Sequence, residues 1–255
     1  MSASFVASTV TDGVATITLQ RPPLNILDIE MMEQVNAALL AVRDQKDLRA
    51  LVLRGKGKAF CAGVDVADHT PERVARMLQV FLRIFETMRM IDVVSVAAVH
   101  GAAIGGGFEL AIACNLIVAS DKAVFALPET ELGVFPPVAA VILPRTTPRR
   151  KAMEWILTGE QIGAKELAAH GIVNRVFPHT RFETGLKKFV ASLSSKSAPV
   201  LKLARQAQLS AYYSTYEQAV ATVEGLYLKD LMGLHDAKEG IGAFLEKRKP
   251  VWRHA

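Results

Sequence analysis

The sequence predicts an α/β fold, with an alternating strand–helix core followed by a helical C-terminal part. Three observations carry this. Short apolar or alternating runs recur at Val14–Leu19, Ala50–Arg54, Val93–Val99 and Leu116–Ser120. Segments with apolar residues at helical spacing separate them. Beyond about Thr146 the strand signals almost vanish. Alternation of this kind implies βαβ crossovers and mostly parallel pairing.

Each element has a local reason. Val14-Ala-Thr-Ile-Thr-Leu19 alternates apolar and polar residues, and Arg21-Pro22-Pro23 ends it. Asp28 offers an N-cap to a helix whose face is Met31, Met32, Val35, Ala38, Leu39 and Val42. Ala50–Arg54 reads as a short strand and Gly55–Lys58 as a turn. A second helix is expected near Thr70, with Pro71 at its first position, continuing through Val74, Met77, Leu78, Phe81, Leu82 and Phe85. Val93–Val99 reads as a buried strand. After the glycines at 101, 105, 106 and 107, Phe108–Cys114 suits a helix and Leu116–Ser120 a strand. From Arg149 onward the text is mainly helical, with one short strand candidate at Val173–Val176. No Gly/Ser linker divides the two parts, so they are expected to pack together. Strand–turn–helix units recur without a strict sequence repeat.

Composition narrows the function classes. The chain has 255 residues, 51% hydrophobic and 22% charged, which excludes intrinsic disorder. Cys61 and Cys114 are the only cysteines; they form no disulfide framework and no CxxC pair, and read as reduced thiols in a cytoplasmic protein. None of the six histidines has metal-ligand spacing, so neither a metal nor a redox cofactor is expected. The N-terminus shows no secretory pattern, and the longest uncharged stretch, Val93–Phe108, is too short and glycine-rich to span a membrane. The net charge of +5 and pI of about 9.2 come from scattered lysines and arginines without an aromatic-rich signature. An acidic small molecule such as a phosphate-bearing ligand accounts for that charge as well as nucleic acid does.

Three segments could carry chemistry. Gly105-Gly106-Gly107-Phe108-Glu109 lies between a strand and a helix, where glycines let the backbone approach a ligand and free N–H groups favour negative charge. Its spacing fits neither a dinucleotide fingerprint nor a P-loop, and a tight turn with a capping Glu is an equally good reading. In Lys58-Ala-Phe-Cys-Ala-Gly-Val-Asp65, Gly63 could turn the Val64 N–H into a cavity, although a plain strand-to-helix loop explains it too. In Phe125–Gly133, Pro128 pushes Leu127 towards an extended conformation and Glu129 follows. A helix, strand and turn between Glu109 and Glu129 could bring both carboxylates to one end of a parallel sheet. Glu131 reads as a solvated surface acid.

Taken in order, these segments resemble the crotonase (enoyl-CoA hydratase/isomerase) superfamily. The matching residues are Arg21-Pro-Pro-Leu-Asn25, Lys58–Asp65, Gly101–Leu110, Phe125–Gly133 and the ending Glu239–Pro250. The resemblance implies a ββα-spiral core over residues 1–195 and a helical oligomerisation region over 196–255, assembled as a homotrimer or a dimer of trimers. It implies an acyl-CoA thioester substrate and no nucleic-acid or membrane partner. Carried over position by position, the backbone N–H groups of Val64 and Gly106 form an oxyanion hole. Glu109 becomes the water-activating base and Glu129 the Cα proton donor. Pro23, Leu24, Ala62, Asp65 and Val66 bind coenzyme A, with Lys58 and Lys247 (and Lys56 and Lys249) as phosphate candidates.

Two carboxylates favour hydration or its reverse. A double-bond isomerase using Glu129 alone, or a silent CoA-binding homologue, are the alternatives. One departure stands out: Pro136-Pro-Val-Ala-Ala140 replaces the glycine-rich run that follows the second Glu in ordinary hydratases. Side chains at 138–140 and Phe108 are expected to reshape the acyl pocket. The segment Arg21–Ile29 is similar to that of cyclohexa-1,5-diene-1-carbonyl-CoA hydratases, which suggests a cyclic dienoyl substrate.

Overall fold

The computed structural model describes residues 4–45, 48–212 and 214–255. Its first half is a series of strand–strand–helix units. β1 (Val6–Thr11) and β2 (Val14–Leu19) lead to α1 (Ile29–Arg43); β3 (Ala50–Gly55) and β4 (Ala59–Cys61) lead to α2 (Val74–Met90); β5 (Val94–Val99) and β6 (Ala102–Ile104) lead to α3 (Gly106–Ala113). β7 (Leu116–Ser120) and β8 (Val124–Ala126) begin a further unit, followed by α4 (Ala139–Thr146) and α5 (Arg149–Thr158). Then come β9 (Ile162–Gly163), α6 (Ala164–Ala169), β10 (Arg175–Phe177), α7 (Phe182–Ser194), α8 (Ala198–Ser210), α9 (Tyr216–Gly225) and α10 (His235–Leu245).

β1 and β2 pair within one sheet; from the second unit on, the first strand joins that sheet and the second joins another. The larger sheet has the order β1-β2-β3-β5-β7-β10, parallel except for the β1–β2 hairpin. The smaller has the order β4-β6-β8-β9, with β9 antiparallel. This is the ββα spiral that the resemblance implies. Residues of the large sheet alternate between two cores. Leu51, Leu53, Ala97, Val99, Ile117 and Ala119 face α1, α2 and α3, whereas Val52, Val96, Ala98 and Val118 meet Phe182, Leu186 and Val190 of α7. Burial on both faces explains why these strands read as continuous apolar runs.

Asp28 caps α1 as expected, its side chain accepting from the Met31 N–H. The second helix differs. It starts at Val74, because Asp65 caps a 3₁₀ turn over Val66–His69 and a further turn follows. Leu78 and Leu82 are each 36% exposed, so the buried stripe is Met77, Val80, Phe81, Ile84, Phe85 and Met88. The last strand sits at 175–177 rather than 173–176, and α9 is followed directly by a π-helical segment over Leu226–Leu231.

One buried polar residue ties the segment carrying the first motif to the second unit. Asn25 is wholly buried at φ +55°, a conformation Asn tolerates better than most residues. Its Oδ1 accepts from the Arg21 N–H at 2.9 Å. Its two amide hydrogens reach the carbonyls of Lys56, Ala59 and Phe60 at 2.9, 2.9 and 3.1 Å. Asn25→Ala strands those carbonyls and should lower unfolding free energy by roughly 2–4 kcal/mol in urea titration. An unchanged midpoint would show that water replaces the side chain.

Candidate active site

The site is assembled where two chain reversals meet. Gly105 adopts φ +51°, ψ −125°, a glycine conformation, and turns β6 into α3. Its own N–H donates to the Ala126 carbonyl on β8 at 2.8 Å. Gly63, at φ +108°, turns the chain after β4. Val64 then forms an isolated parallel bridge with Leu27: Leu27 N–H donates to the Gly63 carbonyl at 2.9 Å, and Asp65 N–H to the Leu27 carbonyl at 2.8 Å. Those bonds use the residues flanking Val64, so the Val64 N–H faces away from Leu27. The Gly106 N–H is a first-turn helix donor. Neither amide finds a backbone acceptor among the described residues. The two residues are neighbours, since a Cβ on Gly106 would come within 2.8 Å of the Val64 Cγ2.

Glu109 projects from the first turn of α3 and is 1% exposed. Its Oε1 accepts from the N–H groups of Val138 at 2.6 Å and Ala139 at 2.9 Å. Burial pushes its carboxyl up to about 8; the Glu129 charge adds to this, and the two amides oppose it. Glu129 sits in a 3₁₀ turn over Pro128–Leu132 that Gly133 closes at φ +76°. Its Oε1 lies 2.8 Å from where a Gly105 Cβ would stand, so the missing side chain makes room for the carboxylate. Its Oε2 is buried without a hydrogen-bond partner. Burial raises this carboxyl to about 7. Two acids that titrate near neutrality thus lie by the glycine turn that carries one of the two free amides. Glu131 is exposed.

The structure gathers most of the other residues singled out from the sequence. Ala62 N–H donates to the Leu24 carbonyl at 2.9 Å, and Lys58 N–H to the Pro23 carbonyl at 3.1 Å. Pro23, Leu24 and Asp65 line a surface recess of about 210 Å³, with Pro22, joined to Pro23 by a cis bond, also in its wall. Val66 is 58% exposed next to it, and the Lys58 side chain is free in solvent. Lys247 lies apart, at the end of α10, and among the described residues shares no hydrogen bond or ion pair with this group. A larger recess, about 390 Å³, lies between α1, the end of α2 and the start of α8, and none of the candidate residues lines it. Among the described residues no three His, Cys, Asp or Glu side chains are placed to hold a metal ion.

Two expectations change. Phe108 forms no pocket wall: it is fully buried and packs on Phe125 with ring centroids 5.1 Å apart. An α3 residue next to an inward-facing Glu109 must face elsewhere in so short a helix. Val138 and Ala139 likewise turn their side chains into the core. Their contribution to the site is the backbone N–H pair on Glu109, which no residue type advertises.

Residues 9–255 match the Enoyl-CoA hydratase/isomerase family. Human enoyl-CoA hydratase domain-containing protein 3, mitochondrial, is 32% identical over 251 residues, covering 95% of this chain and 82% of the relative. Cyclohexa-1,5-dienecarbonyl-CoA hydratase of Thauera aromatica is 34% identical over 238 residues, covering 93% and 92%. Among solved structures, enoyl-CoA hydratase subunit I from Geobacillus kaustophilus superposes with a TM-score of 0.92 at 34% identity, covering 99% of both chains. Similarity that runs the length of the chain, in sequence and in fold, settles its kinship: it belongs to the enoyl-CoA hydratase/isomerase family.

Proposed function

We propose that the protein is a hydro-lyase that adds water across, or removes it to form, a C=C bond conjugated to a coenzyme A thioester. The observation that carries this is the placing of two carboxyls, the buried Glu109 and the half-buried Glu129 with its enclosed Oε2, near the unoccupied N–H groups of Val64 and Gly106.

The thioester oxygen accepts from both amides. Negative charge grows on it as an enolate forms, so donors already fixed in place stabilise the transition state more than the substrate; one such donor contributes about 3 kcal/mol. The Glu109 carboxylate takes a proton from water while the water oxygen bonds to Cβ. The C=C electrons move towards the carbonyl, and the Glu129 carboxylic acid gives its proton to Cα. One acid gains a proton as the other loses one, and transfer back resets the pair. The values near 7 and 8 belong to the pair jointly. The reaction needs Glu109 as the anion and Glu129 as the acid: two N–H groups on Glu109 and the donor-free Oε2 of Glu129 favour that arrangement, and the deeper burial of Glu109 works against it.

Pro23, Leu24, Ala62, Asp65 and Val66 bind the coenzyme A portion, with Lys58 towards its phosphates. Lys247 reaches a phosphate only by way of a second copy of the chain. Exposed Tyr216, Phe244 and Leu245 on α9 and α10, at 80%, 83% and 74%, support self-association through residues 196–255.

The test is to incubate the protein in water with crotonyl-CoA and with cyclohexa-1,5-diene-1-carbonyl-CoA, and to follow product mass. A gain of one water is expected, and preference for the ring substrate would assign the cyclic dienoyl class. No gain with any member of a broad enoyl-CoA panel would leave the silent CoA-binding reading in its place.

A further inference from the structure

We propose that the N-terminus of α4 is the positioning device for Glu109, holding Oε1 with the Val138 and Ala139 amides so that Oε2 alone meets the attacking water. This deepens the hydratase reading and rests on it. The two bonds, at 2.6 and 2.9 Å, come from a segment 29 and 30 residues further along the chain. They converge on one oxygen, and no hydrogen bond from a described residue reaches the other. Charge-assisted bonds of this kind fix a carboxylate's plane as well as its charge state.

The approach of α4 is itself constrained. Pro136 and Pro137 each lock φ ahead of the two donors, and the Pro136 carbonyl accepts from the Ala140 N–H at 3.0 Å, closing the first turn. The buried Val138 and Ala139 side chains anchor the same turn in the core. Two prolines with fixed φ and two buried side chains therefore make this turn a stiff cradle.

The amides also set the charge. α3 packs against α2, α4 and strands β4 to β7. Of the titratable groups on these elements and on the Pro128–Leu132 turn, Glu129 acts on Glu109 by charge. The Cys61 thiol on β4, pushed up to about 12 by burial, stays neutral. Among the described residues, the α4 amides are the hydrogen bonds that offset the burial of the Glu109 anion.

The test replaces residue 139 by its α-hydroxy acid counterpart, which turns the amide N–H into an ester oxygen and keeps the side chain. The same exchange at Thr147, whose N–H bonds to Leu143 at the far end of α4, is the control. With crotonyl-CoA or the best substrate of the panel, the 139 ester should move the acid limb of kcat/KM up by about one pH unit. Turnover at pH 7 should fall about tenfold and recover at higher pH, with KM unchanged. The 147 ester should leave the limb in place. An unmoved limb in the 139 ester, or an equal loss in both esters at every pH, would overturn the proposal. A carbon-13 titration of the Glu109 carboxyl gives the same answer without turnover. If no acyl-CoA is hydrated, the hydratase reading fails, while an upward shift on esterification would still establish the cradle.

Discussion

Hydration of an enoyl-CoA falls by about two to four orders of magnitude when Glu109 is replaced by Gln, the range expected for loss of a positioned base. The amide oxygen of Gln can still accept from Val138 and Ala139, so the fold and the oxyanion hole persist. The loss then belongs to kcat rather than KM. Stopped-flow absorbance at saturating substrate measures it, and near-normal turnover would return the isomerase reading, in which Glu129 alone moves the proton. Stability moves the other way. A buried acid whose carboxyl is raised from 4.5 to about 8 contributes stability below its unfolded pKa and loses it as pH rises through 8. The Gln protein should therefore gain on the parent steadily between about pH 4 and pH 8, read as a growing difference in urea midpoint. That opposition of activity and stability is the mark of a functional carboxyl rather than a structural one.

The sequence carried some features of this molecule openly and concealed others, for physical reasons. β3, β5 and β7 were legible because strands buried on both faces must be apolar along their length, and β2 because burial of one face leaves an alternating pattern. β1 escaped because VASTVT lies on the edge of the sheet, with four of six residues exposed. The three-residue strands β4, β6 and β8 are too short for a period to show, and two of them lie inside the very motifs that hold the site. Pro71 misplaced the start of α2, since a proline suits a turn as well as a first helical position. At the site, Glu109 and Glu129 could be singled out because glycine and proline punctuate their neighbourhoods. The α4 amides could not, because backbone donors are common to every residue and only the fold selects two of them.

Gly107→Ala should cost roughly 3 kcal/mol or more of stability, at the severe end of overpacking. Gly107 has an ordinary helical φ, and alanine is the better helix former, so propensity alone favours the substitution by about 1 kcal/mol. Contact decides otherwise. A Cβ at this position would stand 2.1 Å from the Cys61 carbonyl oxygen and 2.7 Å from its carbon, both backbone atoms of β4 with no rotamer to escape into. α3 and β4 must then separate. β4 leads directly through Ala62 and Gly63 to the Val64 amide, while α3 carries Gly106 and Glu109, so the separation pulls apart the two halves of the proposed oxyanion hole. A lowered urea midpoint is expected, together with a loss of turnover that persists where the protein remains folded. Gly242 on α10, with nothing within 4 Å of its would-be Cβ, supplies the contrast: there alanine should be neutral or stabilising by up to about 1 kcal/mol. Equal effects at the two glycines would mean that close packing of α3 on β4 does not hold the catalytic amides in register.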